Sequence, residues 1–239
     1  MKIKNRQIAL WSGPRNLSTA LMYSFISRGD LKVFDEPLFG YFLKQTAVWR
    51  PSREEALAVM ETNYEKVIKE VFEANIPTFT KNIANHIEGL NLDFIKPLKN
   101  IILTRNPKEV LASYSKQIES PTLLDLAYNH QLKIIKFLVE NKVSFLVIDS
   151  NQIKLNPEKE LRKMCDFSEI EFTTKMLKWS AGPKSQDGVW AKYWYHSVHQ
   201  SSGFSQEITK PTSLQTEFLE LHNHCETMYQ EILKYANNS

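Results

Sequence analysis

Short runs of apolar residues, each stopped by a polar cluster, punctuate the first two thirds of the chain. Gln7–Trp11, Leu31–Phe34, Thr78–Thr80, Asn100–Thr104 and Ser144–Ile148 are rich in β-branched and aromatic residues and are nearly continuous in apolar character. That pattern predicts strands buried on both faces. Longer stretches with helical spacing separate most of them, at Ser18–Arg28, Arg53–Asn75, Lys108–Lys116 and Leu123–Asn141. Strands alternating with helices predict an α/β fold around a mainly parallel sheet.

The last third reads differently. Pro157–Cys165 and Thr173–Ser180 have the spacing of short helices, and Ala181–Phe204 is a loop rich in Gly, Ser, Trp, Tyr and His. Pro211–Ala236 predicts a closing helix with Leu214, Phe218, Leu221, Cys225, Met228 and Ile232 on one face. That spacing fits a helix docked on its own core, with a coiled-coil seam as the alternative. There is no internal repeat, and one domain spanning residues 1–239 is the expectation.

In a parallel sheet all carboxyl ends point the same way, and ligands bind in the crevice beyond them. The residues that leave the five predicted strands are Ser12-Gly13-Pro14-Arg15, Asp35-Glu36-Pro37, Lys81-Asn82, Arg105-Asn106-Pro107 and Asp149-Ser150. Two guanidiniums, one ammonium and two adjacent carboxylates then share one rim. The first loop continues Gly13-Pro14-Arg15-Asn16-Leu17-Ser18-Thr19 into a helix start, which is a recipe for holding a phosphate on backbone N–H groups and hydroxyls. It is not a Walker loop. Started at Gly13, that pattern needs Gly, Lys and Ser or Thr where the chain has Ser18, Thr19 and Ala20. The phosphate lysine and the magnesium hydroxyl are both missing, so the loop suits an anion held without a metal, with Arg15 supplying a fork of donors.

Composition narrows the classes. The 239 residues are 42% hydrophobic and 24% charged, as in an ordinary globular protein, and the formal net charge of +3 is too small to argue for nucleic acid. Cys165 and Cys225 form neither a disulfide framework nor a metal pattern, and both fall at apolar helix positions. His196 and His199 lack nearby metal-ligand partners, so no metal is expected. No signal-peptide core follows Met1–Arg6 and no apolar run reaches membrane-spanning length, which makes a cytoplasmic protein without membrane contact the expectation.

Pro14-Arg15-Asn16-Leu17-Ser18-Thr19 resembles the P-K/R-S-G-T/S-T loop of sulfotransferases, and Arg105-Asn106-Pro107-Lys108-Glu109 through Ser113 resembles their R-x-P-x-[DE]-x-x-x-S motif. The likeness is nearest to the bacterial sulfotransferase-like branch. Arg15 stands where many members carry Lys, and Asn16-Leu17 replace Ser-Gly. The resemblance implies a three-layer αβα fold like that of P-loop nucleoside triphosphate hydrolases. It implies transfer of a sulfuryl group from 3′-phosphoadenosine 5′-phosphosulfate (PAPS) to a hydroxyl of a small-molecule acceptor, without a metal. Gly13, Pro14, Arg15, Asn16, Ser18 and Thr19 then hold the 5′-phosphosulfate, and Arg105 with Ser113 the 3′-phosphate. Lys81 meets the bridging oxygen, and either Glu36 or His86 is the acceptor's base. Lys184, Gly188 and Trp190 match a late loop that covers the nucleotide, where Lys184 meets the 3′-phosphate and Trp190 or Trp194 stacks on adenine. Tyr193, Trp194, Tyr195, His196 and His199 are alternative walls of the acceptor pocket. A monomer or a homodimer is compatible with all of this. Two other functions stay open: a non-catalytic nucleotide-binding or interaction protein of the same fold, and an ATP-dependent kinase.

Overall fold

A computed structural model describes residues 6–205 and 213–236. The opening residues 1–5 and the start of the predicted Pro211–Ala236 helix lie outside that range. Five strands form one sheet: β1 Gln7–Ser12, β2 Lys32–Asp35, β3 Thr78–Ile83, β4 Lys99–Thr104 and β5 Phe145–Asp149. Their order is β2-β3-β1-β4-β5, and every neighbouring pair is parallel. All five sequence-predicted strands are present, within a few residues of their expected limits.

The pleat of β1 explains the layers. Ile8 and Leu10 face one core with Leu21, Met22 and Phe25 of α1 (Ser18–Arg28) and Leu161 and Met164 of α9 (Pro157–Phe167). Ala9 and Trp11 face the other, with Val110 and Leu111 of α5 (Pro107–Tyr114), Ile134 and Leu138 of α7 (Tyr128–Glu140), and Cys225 and Ile232 of α12 (Leu219–Ala236). A strand buried on both faces must be apolar at successive positions, and that produced the continuous runs in the sequence. Trp11 also donates its indole N–H to Asn100 Oδ1 at 2.9 Å, which satisfies two buried polar groups between β1 and β4.

Several helices depart from expectation. The predicted helix Arg53–Asn75 is three pieces: α3 Arg53–Val59, a break, then α4 Tyr64–Val67 running into a π-helical turn at Ile68–Phe72. The Asn63 side chain accepts from the Lys66 N–H and starts α4, so a cap residue inside the apolar spacing marks the break. Leu123–Asn141 divides into α6 (Leu123–Leu126) and α7 at Ala127, which is left-handed at φ 65°. Thr173–Ser180 contains only a 3₁₀ turn at Thr174–Leu177. Helices α2 (Phe39–Gln45) and α8 (Ser150–Leu155) were not expected, and the loop 181–204 carries α10 (Ala191–Trp194) and α11 (His196–His199). Helix α12 lies on α7 and β5 with Cys225, Tyr229 and Ile232 buried, the docked arrangement of the two considered.

Ala127 is fully buried and holds a backbone that suits glycine. Ala127→Gly is therefore expected to leave stability unchanged or raise it by up to about 1 kcal/mol in urea denaturation, whereas Ala→Gly within a helix ordinarily costs about 0.5–1 kcal/mol. A loss of the ordinary size would show that no strain is held at this joint.

Candidate active site

The carboxyl ends of the strands open onto a cavity of about 880 Å³. The order of the sheet reverses at β1, the position where parallel α/β sheets place their ligand crevice. Pro14, Arg15, Asn16, Ser18, Thr19, Arg105 and Ser113 line one part of the cavity, and Glu36, Lys81 and His86 line another.

The anion end is built by the loop after β1. Arg15 and Leu17 both have left-handed backbones, at φ 60° and 65°. Two such residues in a short loop before a helix are the ingredients of an anion nest, and each costs roughly 1–2 kcal/mol outside glycine. Leu17 occupies the glycine position of the resembled loop and takes the glycine-like conformation regardless. No side chain caps the first turn of α1, so its N–H groups are left for a ligand. Gly13 is required for another reason: a Cβ there would lie 2.9 Å from the Leu126 carbonyl oxygen. Asn16 is buried and donates from Nδ2 to the Leu103 carbonyl at 3.1 Å, tying the loop to β4.

Arg105 leaves β4, and Asn106 and Pro107 turn the chain into α5, where the Asn106 side chain accepts from the Lys108 N–H. The turn brings Ser113 back to the rim. Arg15 donates from Nε to Ser113 Oγ at 2.9 Å, and Arg105 donates to the Arg15 carbonyl at 2.6 Å. The two guanidiniums thus share one end of the cavity. Burial lowers the Arg15 pKa, and the like charge of Arg105 lowers it further. Arg105 is steadied by Glu109, at 2.6 and 3.0 Å. Lys154 of α8, which the sequence reading did not single out, lines the same end and sits 3.4 Å from Glu109. Its only signal was position, one turn beyond Asp149-Ser150.

The other end rests on a buried ammonium. Lys81 is 1% exposed, and its Nζ contacts Asp35 at 3.0 Å, Tyr195 Oη at 2.7 Å, and Glu36. Burial opposes the charged ammonium, but Asp35 and Glu36 outweigh it and hold the Lys81 pKa well above the ordinary value. Burial pushes the Glu36 carboxyl above its usual range; Lys81 opposes this and Asp35 adds to it. Glu36 also has a left-handed backbone at φ 46°, a strained placement of the kind that collects at functional sites. The His86 ring lies against Phe39 and Phe42, with Nε2 4.0 Å from Glu36 Oε2, too far for a hydrogen bond. Burial holds its pKa well below the ordinary value, and the cations Arg50 and Lys81 lower it further, so the ring is neutral.

The late loop closes over this end differently from expectation. Trp190, Trp194 and Tyr195 line the cavity, but Lys184 does not. Its ammonium turns back onto the Ser180 and Gly182 carbonyls, at 2.6 and 3.2 Å, because the loop curls around its own backbone acceptors. Gly188 donates its N–H to Asp35 at 3.1 Å, and a Cβ there would overlap the Trp190 ring at 2.2 Å. Trp190 packs edge-on against Phe39 and donates to Tyr195 Oη at 3.0 Å, which places it beside the carboxylates. Trp194 stacks on Tyr114. Among the other expected wall residues, His199 pairs with Asp187 at 3.0 Å, and Tyr193 and His196 lie outside the cavity lining. Arg50, Asn85, Tyr114 and Asp125 also line the cavity and were not singled out from sequence. Thr122-Leu123-Leu124-Asp125 has the spacing of a capping box, the one local signal that placed Asp125. Among the described residues no group of three or more His, Cys, Asp or Glu is placed to hold a metal ion, and no helix is long and apolar enough to cross a membrane.

Comparison with known proteins places the chain in a family and a fold. The sulfotransferase domain family matches residues 6–220. The chain is 39% identical over 233 residues to branched-chain-amino-acid aminotransferase-like protein 1 of Arabidopsis thaliana, covering 96% of the chain and 42% of that protein. It is 38% identical over 226 residues to protein 2 of the same name and plant, covering 93% and 40%. The chain therefore spans about two fifths of the length of these relatives. Its fold is similar to the sulfotransferase domain of the curacin biosynthetic pathway, with TM-score 0.54, 14% identity, and coverage of 98% and 99% of the two chains. A sulfotransferase from Alicyclobacillus acidocaldarius has TM-score 0.52, 10% identity and 96% coverage of each. The sulfotransferase domain of the Synechococcus PCC 7002 olefin synthase has TM-score 0.50, 16% identity, and coverage of 94% and 96%.

The raised carboxyl of Glu36 has a consequence for stability. A carboxyl whose folded pKa exceeds its unfolded value contributes stability that is full below the unfolded pKa and is lost as pH rises through the folded one. Glu36→Gln should therefore gain melting temperature relative to the parent as pH rises from below 4.5 toward neutrality. A difference that is flat or falls with pH would mean that Lys81, not burial, dominates the carboxyl.

Proposed function

The chain belongs to the sulfotransferase domain family, and we propose that it transfers a sulfuryl group from PAPS to a hydroxyl of a small-molecule acceptor. The observation that carries this reading is the convergence of two ends in one cavity. Arg15, Arg105, Ser113 and the uncapped start of α1 suit the phosphates, while Glu36, Lys81 and His86 suit an acceptor. The names of the plant relatives describe whole proteins more than twice as long as this match, and they assign no aminotransferase chemistry to it.

The residues present fit PAPS. The nest-forming loop and the first turn of α1 offer N–H groups to the 5′-phosphosulfate, with Ser18 and Thr19 hydroxyls beside them. Arg105 and Ser113 would hold the 3′-phosphate, and a dianion between Arg15 and Arg105 relieves the repulsion of two partly buried cations. Bound PAPS supplies an activated sulfuryl group and a phosphate leaving group. The protein's contribution is position and charge. Arg15 stabilises charge on the leaving phosphate. A charge-assisted hydrogen bond contributes about 1.5–3 kcal/mol, against about 0.3–1 kcal/mol for the dipole of α1, so the guanidinium matters more.

Glu36 accepts the acceptor's proton. Its elevated carboxyl is a stronger base than an exposed glutamate, and Lys81 opposes the rise by favouring the ionised form. His86 is already neutral but is weakened as a base by burial. When Glu36 takes the proton, the ammonium of Lys81 remains held by Asp35 and Tyr195.

Two measurements test this. Adenosine 3′,5′-bisphosphate should bind with an affinity unaffected by chelator and should outcompete Mg-ATP; the reverse preference would indicate a kinase. Arg105→Ala should weaken the bisphosphate while sparing adenosine 5′-phosphate, and equal loss for both removes the 3′-phosphate assignment. With an acceptor in hand, Glu36→Gln should lower kcat by about 10²–10⁴-fold and His86→Ala by less than about tenfold. A bisphosphate-binding protein that transfers nothing would be the non-catalytic member of the fold.

A further inference from the structure

The part of the cavity beside Glu36 holds a second charged pair that the transfer reaction itself does not use. Arg50 lies between α2 and α3, and its side chain lines the cavity at 11% exposure. It donates to Asp125 Oδ1 and, at 2.8 Å, to the Trp49 carbonyl. These contacts use one N–H from each terminal nitrogen and leave the remaining donors of a five-donor fork without a partner among the described residues. Asp125, by contrast, accepts on both oxygens. Its other oxygen accepts from the Thr122 N–H at 2.8 Å and the Thr122 hydroxyl at 2.7 Å, so it fixes Arg50 from behind.

The surroundings mark this as a binding wall. Asn85 and His86 line the same cavity, are 2% and 3% exposed, and each keeps a buried polar atom, Oδ1 and Nδ1, with no hydrogen-bond partner among the described residues. Such atoms in a native interior call for a ligand group or water. Tyr114 lines the wall too, close enough that Arg50, Asp125 and Glu36 all act on its hydroxyl. Lys81 spends its ammonium on Asp35, Glu36 and Tyr195. Among the described residues beside Glu36, Arg50 is therefore the cation presented to the cavity.

We propose that Arg50 is the acceptor-recognition residue and that the acceptor is a hydroxycarboxylate, its carboxylate on the Arg50 fork and its hydroxyl at Glu36. This rests on the sulfotransferase reading. The charge balance selects a carboxylate over a phosphate. Asp35, Glu36 and Asp125 already outnumber Lys81 and Arg50, so a singly charged carboxylate at the guanidinium adds less repulsion than a doubly charged phosphate. A planar carboxylate also matches the fork in geometry.

The test uses the full chain saturated with adenosine 3′,5′-bisphosphate. Calorimetry reads the binding of para-hydroxybenzoate and of a ladder of terminal hydroxycarboxylates of increasing length, each beside its primary amide. At least one carboxylate should bind about tenfold or more tightly than its amide, the effect of one charge-assisted contact. Arg50→Gln should erase that preference while leaving bisphosphate affinity within about twofold. Arg50→Lys, which keeps the charge and loses the fork, should retain part of it and guards against a misfolded Gln variant. Absence of any carboxylate preference in the parent, or a preference that survives Arg50→Gln, overturns the proposal. Failure of the parent to bind the bisphosphate overturns the sulfotransferase reading instead, so the two failures are distinguishable.

Discussion

The ammonium of Lys81, buried at the end of a central strand, is the constraint from which the acceptor side of this molecule follows. An isolated charge in a protein interior is prohibitively costly, and it persists only when paired and hydrogen-bonded. Lys81 points from β3 toward the end of β2, so Asp35 and Glu36 must stand there, and Tyr195 must reach in from a loop more than a hundred residues later. The carboxylates then have needs of their own. Asp35 accepts from Tyr195 Oη and from the Gly188 N–H, which fixes the late loop against the sheet. Glu36 lines the cavity with a carboxyl that burial pushes above its usual range.

The anion side is organised by the opposite problem, too many like charges. Arg15 and Arg105 are adjacent because one donates to the backbone of the other. Glu109 offsets part of the repulsion at Arg105, and Lys154 adds to the positive charge nearby; burial lowers the pKa of Lys154, and so does Arg105. Without ligand this arrangement stores unfavourable energy that a dianion would release. The strained backbones of Arg15 and Leu17 belong to the same account.

How much of this was legible in the sequence depended on the range of the interaction. Strands buried on both faces wrote themselves as apolar runs, and the residues after them became the rim, so Arg15, Ser18, Glu36, Lys81 and Arg105 could be placed together from order alone. Ser113 was placed by the motif resemblance, and the turn at Asn106-Pro107 is what brings it back to the rim. The helix expected over Arg53–Asn75 did not survive, because caps such as Asn63 compete with an apolar spacing that several shorter helices satisfy equally well. Arg50 and Asp125 are paired across seventy-five residues of chain, and nothing local announces such a contact. Lys184 shows the converse error. A lysine in the right loop was read as a ligand, but backbone carbonyls within hydrogen-bonding reach captured its ammonium.

The loop between α9 and the closing helix is what makes the two ends one site. Trp194 and Tyr195 are consecutive residues at the end of α10, yet they serve different ends. The Trp194 carbonyl accepts from Arg15 at 3.2 Å, while the Tyr195 hydroxyl bridges Lys81 and Asp35. A single turn of chain therefore touches the Arg15 guanidinium and the buried ammonium at once. The short backbone path leaves little room for independent movement, since α10 is only four residues long and is followed directly by α11. Arg15 and Lys81, at the two ends of the cavity, are thus tied to neighbouring residues of one short segment.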